Sequence, residues 1–536
     1  MTITIRADAA DPGEPLAHFW SVCVGAGRAG EGLRAAWQEQ LRTAAATCGF
    51  RYVRFHGLFH DDMFVHHRGA DGSHDYNFQY VDELFDRLLD AGVRPFVELG
   101  FMPGDLARTK NTVFWWGAHG SPPTDLGAWA ELVGRTVRHW VDRYGVDEVR
   151  SWYFEVWNEP NLRPFFDGTR GEYFDLYGTT ALAVKEVDRH LRVGGPATSN
   201  FVPDTRFDGE REDKTAHATV TEAEDLRALE WRPVWVEAFL DHCASLGLPV
   251  DFVSCHPYPT DWALDSHGEG AHYTRGADAT PRDLAVLREI VDKSAFPQAE
   301  IHLTEWSSTP SPRDHTHDHL PSATFVVKAN VESIGLVDSL AYWTFTDVFE
   351  ESGAGGSAFH GGFGLINFQG IAKPTFHAYR FLHALGDELV VRRPGAVVTR
   401  ETATGRLTAL AYHYPPEMPY SVPLSTPGRD VVEATLALGS PEVLEIELTG
   451  LPAGATVTVE ILEPGSGDAL TAWRELGSPD PLSREDIAFL REAAAITRTE
   501  VLRADRDGGL RHTRSLPPWS VVLVTQRPVL GAHQPG

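Results

Sequence analysis

Two glutamates, Glu159 and Glu305, each follow a short apolar run that is typical of a β-strand. Glu159 lies in WNEPN at 157–161, and Glu305 lies in TEW at 304–306. Retaining hydrolysis of a glycosidic bond uses two carboxyl groups roughly 5–5.5 Å apart, one attacking the anomeric carbon and the other protonating the leaving oxygen. We therefore predict this reaction, with Glu305 as the nucleophile and Glu159 as the general acid and base.

Polar neighbours of the two glutamates fit the same chemistry. Asn158 is suited to hydrogen-bond a sugar 2-hydroxyl, although it is also a common turn residue before Pro160. His256 and Tyr258 lie in SCHPY at 254–258, where Tyr258 is expected to donate to Glu305 and His256 to do the same or to contact substrate. The alternative is a packed turn of aromatic residues and proline.

The elements that must position these residues alternate between strand and helix from about residue 18 to about residue 350. The predicted strands cover 18–25, 51–57, 94–100, 151–158, 191–196, 250–257, 300–306 and 339–346. The predicted helices cover 34–47, 80–92, 127–144, 171–189, 233–246, 280–293 and 322–335, with Gly92 as a C-cap. Eight such units predict an α/β fold, a closed (β/α)₈ TIM barrel with catalytic groups at the C-terminal ends of its strands.

The remainder of the chain has a different pattern. Alternation with period two in VLEIELTGL, ATVTVEIL and SVVLVTQ predicts an accessory antiparallel β-sandwich, to which TITIRAD at 2–8 adds an edge strand. A helix is predicted at 483–495, with Ser483 as its N-cap. We expect the barrel domain at 16–384 and the sandwich domain at 1–15 plus 385–536. The polar connection at 197–232 is read as an inserted excursion or a flexible loop.

Charge and composition limit the classes of molecule that the protein is expected to bind. Asp and Glu number 75 against 47 Lys and Arg, a formal charge of -28, which disfavours nucleic acid and anionic membranes as partners. A small neutral carbohydrate is a ligand compatible with this negative charge. The four cysteines lack the spacing of a zinc or redox motif and are expected to be buried free thiols. Because the sequence shows neither a signal peptide nor a membrane span, we expect a cytoplasmic location.

Beyond these features, the sequence resembles glycoside hydrolase family 39, the β-xylosidase and α-L-iduronidase family of the barrel hydrolase clan A, and most closely its bacterial β-xylosidase branch. The matching blocks are FWSVCVGAGRA at 19–29, GFRYVRFHGLFHDDM at 49–63, YNFQYVDELFDRLLDAGVRPFVELGFMP at 76–103, WYFEVWNEPNL at 152–162, DFVSCHPYP at 251–259, LTEW at 303–306, YWTFTDVFEE at 342–351 and GFGLINFQGIAKPTFHAY at 362–379. The resemblance implies the retaining mechanism with the same two glutamates, and it favours xylan 1,4-β-xylosidase activity, the removal of terminal β-D-xylosyl residues from short xylo-oligosaccharides.

The resemblance also implies substrate contacts by position. They are His56, Phe114, Trp116, Asn158, His256, Tyr258, Trp343, Glu350 and Glu351. One glutamate of the last pair is expected to bind two sugar hydroxyls, with Trp343 as an apolar floor, and the sequence leaves open which of the two it is. Simple loop packing is the alternative for Trp115 and Trp116.

Other readings stay open at this point. The family also contains enzymes acting on α-L-arabinosides and α-L-iduronides. A non-catalytic carbohydrate-binding protein is a further alternative, although the presence of both glutamates argues against it. His315, His317 and His319 would share a face if their segment were a strand, and would then be a candidate metal site. The predicted reaction needs no cofactor or metal, and a homo-oligomer is possible.

Overall fold

The computed structural model describes residues 2–217, 223, 225–264, 270–418, 423–424 and 429–528. Eight parallel strands form a closed barrel in chain order. The strands are β1 (Cys23–Arg28), β2 (Tyr52–His56), β3 (Arg94–Leu99), β4 (Tyr153–Val156), β5 (Arg192–Ser199), β6 (Phe252–His256), β7 (Glu300–Trp306) and β8 (Ser339–Tyr342). The helices that follow them are α1 (Ala35–Cys48), α2 (Gln79–Asp90), α3 (Leu126–Tyr144), α4 (Arg170–Val187), α5 (Val236–Leu246), α6 (Ala279–Lys293), α7 (Leu320–Glu332) and α8 (Pro374–His383). The predicted TIM barrel is therefore confirmed.

The clearest differences from the prediction are at the first strand, the last strand and the last helix. The first strand was expected at 18–25, but Phe19–Ser21 is a 3₁₀ turn and β1 begins at Cys23. The run at 18–25 has no strict alternation that marks where a strand starts, which explains the error. The last strand was expected at 339–346 and ends at Tyr342. Helix α8 was missed, although Pro374 at its first turn is a usual helix-start signal.

Local sequence accounts for the well-predicted helices. In α2, Val81, Leu84, Phe85 and Leu88 are buried along one stripe at helical spacing. The chain then leaves the helix through Gly92, whose φ of 74° favours glycine. Such amphipathic helices cover the outside of the barrel and hold its strands in register.

The barrel interior changes from aromatic to polar along the strands. An aromatic layer fills its lower part and comprises Phe96, Tyr153, Phe252 and His302, with ring centroids 4.7–5.5 Å apart. Because inward-facing residues alternate along a strand, a polar layer follows two residues further on. It comprises Glu98, Glu155, Ser254 and Thr304, all buried. The polar layer lies directly beneath the barrel mouth.

The rest of the chain adds two packed β-sheets. The larger sheet has the order Glu14–Pro15, Glu388–Arg393, Ala396–Arg400, Leu407–Tyr412, Val521–Gln526, Thr456–Leu462 and Arg498–Arg503. The smaller sheet comprises Thr2–Asp8, Glu442–Thr449 and Leu510–Leu516. Ile3, Ile446 and Val459 belong to the apolar core that the two sheets share. The expected edge strand at 2–8 is confirmed, but it pairs parallel to its neighbour, which departs from the antiparallel pattern expected for the sandwich.

Shorter elements complete the structure. Arg484–Ala495 is helical and begins at Ser483, which forms a capping box with Asp486 as predicted. The remaining helices are Ala29–Gly32, Val146–Val149, Arg429–Leu436 and Ala469–Glu475, with 3₁₀ turns at Asp61–Met63, Lys214–Ala216, Leu226–Ala228 and His315–Asp318. The remaining strands are His66–Arg68, His74–Tyr76, Thr112–Val113, Ala118–His119, Phe201–Val202, Arg232–Pro233, Thr260–Leu264, Gly270–Thr274 and Pro423–Leu424. The division of the chain at residues 15/16 and 384/385 stays a prediction.

Three further sequence expectations concern the connections, the thiols and the membrane. The connection at 197–232 leaves and re-enters the barrel as an antiparallel pair, Phe201–Val202 against Arg232–Pro233, so its ends are anchored as in an inserted excursion. All four cysteines are free and buried. Within the described residues, no helix combines the length and the apolar character that a membrane crossing requires.

Candidate active site

A cavity of about 880 Å³ lies at the C-terminal ends of the barrel strands, and both predicted catalytic glutamates line it. The lining residues that comprise the glutamate pair and the side chains packed around it, around His56 and around Trp343 are called the inner residues: His56, Phe114, Asn158, Glu159, Tyr258, Glu305, Trp343, Glu351 and Phe363. Its outer residues include Leu162, Phe165, Arg206, Phe207, Glu210, Arg211, Lys214 and Trp235. The cavity therefore has room for more than one sugar ring.

Glu159 follows the end of β4 in a conformation unusual for a residue with a side chain. Its φ is 44°, and its backbone N–H donates to the carbonyl of Ala197 over 2.9 Å. Oε1 lies 3.0 Å from Nδ1 of His256. Burial raises the pKa of Glu159 to about 7, although a hydrogen bond from Ser199 and the charge of Arg54 act in the opposite direction. Glu159 is thus poised to hold or release a proton near neutral pH.

Glu305 reaches the cavity from the end of β7, where the register against β8 shifts between Leu303 and Trp306. Its Oε1 accepts a hydrogen bond from Nη1 of Arg54 over 2.6 Å. Its Oε2 accepts one from the hydroxyl of Tyr258 over 3.3 Å. The two donors contact different oxygens and so fix the orientation of the carboxyl group of Glu305. One oxygen of Glu305 and one of Glu159 lie within 4.8 Å of each other.

Arg54 is the central residue that the sequence reading missed. Besides Glu305, its guanidinium donates to Glu155 over 2.6 Å and to the amide oxygen of Asn158 over 2.9 Å, and it lies 3.0 Å from Glu98. Burial disfavours its cation, but these carboxylates outweigh the burial and raise the pKa of Arg54. The available signal was its place in RYVRFHG, where alternation sets Arg54 on the inward face of β2 with His56.

Asn158 and His56 are held by this polar layer. The contact with Arg54 fixes the amide of Asn158 and turns its NH₂ away from the guanidinium. The Nδ1 of His56 lies 2.6 Å from Glu98, and its Nε2 lies 3.4 Å from Glu305. Because the carboxylate of Glu98 accepts from Nδ1, it sets the orientation of the His56 ring.

His256 and Tyr258 hydrogen-bond different members of the glutamate pair. The Nε2 of His256 lies 2.9 Å from the hydroxyl oxygen of Thr304, and its Nδ1 faces Glu159. Burial lowers the pKa of His256 to about 4, and it raises the pKa of Tyr258 well above its usual value. His256 therefore contacts the expected acid rather than hydrogen-bonding the expected nucleophile, since its Nδ1 is 3.8 Å from Glu305.

The two adjacent glutamates after β8 point in different directions. Glu351 lines the cavity, and its carboxyl lies 3.6 Å from Nε2 of His56. Burial and the nearby charge of Glu305 raise its pKa well above the usual range. Glu350 instead pairs with Arg34 at 2.6 Å and Arg28 at 3.2 Å, and it is not among the residues that line the described cavity.

The aromatic residues expected to contact substrate also fall into two groups, those that line the cavity and those that do not. Phe114 and Trp343 line the cavity, and each packs against His56 with ring centroids 5.5 and 4.7 Å apart. Trp116 stacks behind Phe114 and is not among the described lining residues, whereas Trp115 is 69% exposed. Trp116 therefore contacts the ring that faces the cavity.

The possible ligands for a metal are few. In the described part of the chain, one group of His, Cys, Asp or Glu side chains is close enough to share an ion, and it consists of Glu159, His256 and Glu305. The guanidinium of Arg54 lies 2.6 Å from Glu305, and its charge opposes a cation there. The charge of Arg54 therefore makes this group less favourable for a cation than its ligand geometry alone suggests.

The histidine-rich tract after β7 is not such a group among the described residues. His315–Asp318 is a 3₁₀ turn and not a strand, so its imidazoles do not share one face. His317 donates to the carbonyl of Gly361 over 3.1 Å, and Asp318 pairs with the buried Lys373 at 2.8 Å. The alternative of a metal site in this tract loses its geometric basis.

Comparisons with known proteins agree with this geometry. The chain is similar to the beta-xylosidase of Caldicellulosiruptor saccharolyticus, with 35% identity over 515 residues that cover 95% of each chain. It is 36% identical to the beta-xylosidase of Geobacillus stearothermophilus over 521 residues, 95% of this chain and 93% of that one. Among solved structures, a monomeric beta-xylosidase from Caulobacter crescentus CB15 matches with a TM-score of 0.82 and 32% identity, covering 98% of this chain and 100% of that chain.

The family profile described as glycosyl hydrolases family 39 matches residues 3–510, which is nearly the whole chain. Profile, relatives and barrel architecture lead to one assignment. This chain belongs to glycosyl hydrolases family 39 and is a glycoside hydrolase.

Proposed function

We propose that this enzyme is a retaining exo-β-D-xylosidase that removes terminal xylosyl residues from short xylo-oligosaccharides or other xylosides. The observation that carries the retaining mechanism is the approach of Glu159 and Glu305 oxygens to within 4.8 Å. An inverting pair needs roughly 6.5–9.5 Å, because a water molecule must fit between the sugar and the base. The xylosyl preference is supported by the relatives named beta-xylosidase.

In the first step, the carboxylate of Glu305 attacks the anomeric carbon while Glu159 gives its proton to the departing glycosidic oxygen. Arg54 and Tyr258 hydrogen-bond Glu305 and orient its carboxylate before the attack. Because burial raises the pKa of Glu159 to about 7, a large fraction of the molecules carry the acid proton near neutral pH. The two carboxyl groups thus have different environments, as their different roles require.

In the second step, the ester at Glu305 no longer carries a negative charge. Glu159 is now a carboxylate and takes a proton from the water that attacks the anomeric carbon. The bond between that carbon and the Glu305 oxygen breaks, and the nucleophile returns to its ionised state. Two displacements at one carbon leave the configuration unchanged.

The terminal sugar is held, in this proposal, by the inner residues of the cavity. Phe114 and Trp343 offer apolar ring faces to the sugar. Glu351 lines the cavity beside His56 and offers its two carboxyl oxygens to two sugar hydroxyls. The amide NH₂ of Asn158 is directed to the 2-hydroxyl, since Arg54 occupies the amide oxygen. Glu351 is accordingly preferred over Glu350 for this contact.

We extend the proposal to exo action. The terminal sugar is placed among the inner residues, and the leaving group is placed against Leu162, Phe165 and the part of the connection at 197–232 that lines the cavity. Iduronide specificity is disfavoured because the described inner lining holds no Lys or Arg for a substrate carboxylate, and the guanidinium of Arg54 is occupied by Glu98, Glu155 and Glu305. The possible homo-oligomer stays a prediction.

The test is nitrophenol release from a panel of aryl glycosides: β-D-xyloside, α-L-arabinoside, β-D-glucoside and α-L-iduronide. We expect kcat/KM for the xyloside to exceed each of the others by about tenfold or more, equivalent to about 1.4 kcal/mol of transition-state binding. A higher value for the arabinoside or the iduronide would replace the xylosidase assignment. No turnover of any aryl or oligomeric glycoside would favour the carbohydrate-binding alternative.

A further inference from the structure

We propose that His256 is a positioning residue which, oriented by Thr304 and Glu155, accepts the proton-bearing hydrogen bond of Glu159 and so keeps this acid protonated. The inference rests on the proposed function, because it concerns the acid and base of that reaction. It gives a role to His256, Thr304 and Glu155, which are all buried.

The contacts form one continuous chain across the barrel interior. Oε1 of Glu155 lies 2.7 Å from the hydroxyl oxygen of Thr304, which lies 2.9 Å from Nε2 of His256. Nδ1 of His256 lies 3.0 Å from Oε1 of Glu159. Glu155, His256 and Thr304 are fully buried, and Glu159 is nearly so, so bulk water does not compete for these partners.

The direction of each hydrogen bond follows from its partners. The other oxygen of Glu155 is paired with Arg54 at 2.6 Å, so its carboxylate can only accept, and the hydroxyl of Thr304 must donate to it. The hydroxyl oxygen of Thr304 then accepts from Nε2–H of His256. A neutral imidazole carries one proton, so Nδ1 is an acceptor, and Glu159 supplies the donor.

The ring is neutral because burial lowers the pKa of His256 to about 4. If Glu159 loses its proton, the lone pair of Nδ1 faces a carboxylate, and the deprotonated state becomes less favourable. The imidazole thereby strengthens the hold of Glu159 on its proton before the first step, in which the O–H turns from Nδ1 to the departing glycosidic oxygen and gives up its proton there. In the second step, the same repulsion makes the Glu159 carboxylate a stronger base towards water.

Other charged and titratable groups face His256 and Glu159 from several elements. They are Arg54 and His56 on β2, Glu98 on β3, Glu155 on β4, Tyr258 after β6, Glu305 on β7 and Glu351 after β8. A substitution at Thr304 changes none of these ionisable groups, although it removes one hydrogen bond from Glu155. The residue is therefore suited to isolate the orienting contact from the surrounding charges.

The test compares Thr304→Val, which removes the hydroxyl at nearly constant size, with the matched control Thr304→Ser, which keeps it. Without its Nε2 acceptor, His256 can place the proton on Nδ1 and donate to the Glu159 carboxylate, which lowers the pKa of Glu159. In the Val variant we expect the basic limb of kcat/KM for an unactivated xyloside to move down by about one pH unit from the wild-type position near 7. The Ser variant should keep the wild-type limb.

A purely structural role predicts a different result. It would lower kcat/KM at all pH values, and it would do so equally for phenyl and 2,4-dinitrophenyl xylosides. We expect instead that the first step with the dinitrophenyl substrate, which needs no acid, changes by less than about twofold in the Val variant. An unmoved or upward-shifted basic limb in a folded Val variant would overturn the proposal, as would a shift of equal size in the Ser variant.

A measurement on the wild-type enzyme covers the case in which the Val variant does not fold. In protein labelled with ¹⁵N-histidine, the His256 signals, assigned by their loss in His256→Asn, should show a protonated Nε2 and an unprotonated Nδ1 at neutral pH. A protonated Nδ1 would overturn the proposal. This spectrum needs no turnover, so it separates a failure of the inference from a failure of the proposed function, which the glycoside panel tests.

Discussion

Replacement of Glu305 by alanine is expected to lower kcat for an aryl β-xyloside by roughly 10⁵-fold, equivalent to about 7 kcal/mol. The loss is large because the variant has no nucleophile to form the glycosyl-enzyme, while Arg54 loses the carboxylate with which it pairs at 2.6 Å. Azide can enter the space left by the side chain and attack the anomeric carbon directly. We therefore expect added azide to restore turnover and to give α-xylosyl azide, the product of a single inversion. Product configuration is read by ¹H NMR.

The control for this variant is Glu300→Ala on the same strand. Glu300 lies at the opposite end of β7 and accepts a hydrogen bond from Tyr153 over 2.7 Å in the lower part of the barrel. We expect kcat to stay within about threefold of wild type, with the effect confined to stability. Near-normal turnover by Glu305→Ala, or azide rescue that gives the β-azide, would refute the nucleophile assignment.

Replacement of Glu159 by alanine should give a loss that depends on the leaving group. For xylobiose or a phenyl xyloside we expect kcat/KM to fall roughly 10²–10⁴-fold, because the departing oxygen needs its proton. For a dinitrophenyl xyloside the first step should stay fast while the second becomes slow, so that one equivalent of phenol appears in a burst. Azide should then accelerate the second step and give β-xylosyl azide, the retained product.

Stopped-flow absorbance and product NMR separate these outcomes. An equal loss of kcat/KM on good and poor leaving groups would contradict the role of Glu159 as acid and base. The same assays with Glu305→Ala show no burst, because no glycosyl-enzyme forms. The two variants thus differ in both kinetics and azide product, which a general loss of structure would not produce.

Much of this arrangement could be predicted from the sequence, since it depends on local patterns. The apolar runs before Glu159 and Glu305 are strands β4 and β7, and barrel geometry places their ends at one mouth. The helical stripe of α2 and the Ser483 cap were likewise readable, because short-range spacing determines both.

Long-range contacts explain what the sequence did not reveal. Arg54 is 101 positions from Glu155 and 251 from Glu305 along the chain, and only closure of the barrel brings these charges together. The sequence also could not show which of two adjacent glutamates faces the cavity. Glu350 and Glu351 differ because Arg28 and Arg34 hold the former, and those partners lie more than 300 positions away.

The connection at 197–232 shows the same limitation. Its polar composition indicates a surface segment but not what it covers. In the structure, Arg206 is buried between Asp204 and Asp261, and this fixes residues beside it against the outer cavity. The position of this segment thus depends on ion pairs between residues that follow β5 and β6.

The most direct measurement is mass spectrometry of the enzyme after incubation with 2,4-dinitrophenyl 2-deoxy-2-fluoro-β-D-xyloside. The fluorine slows both displacements, but the good leaving group lets the glycosyl-enzyme form faster than it hydrolyses. We predict that one 2-fluoroxylosyl group accumulates per chain and that peptide sequencing places it on Glu305. A label on another residue, or continued turnover of xylosides by unlabelled enzyme, would contradict the retaining mechanism through Glu305.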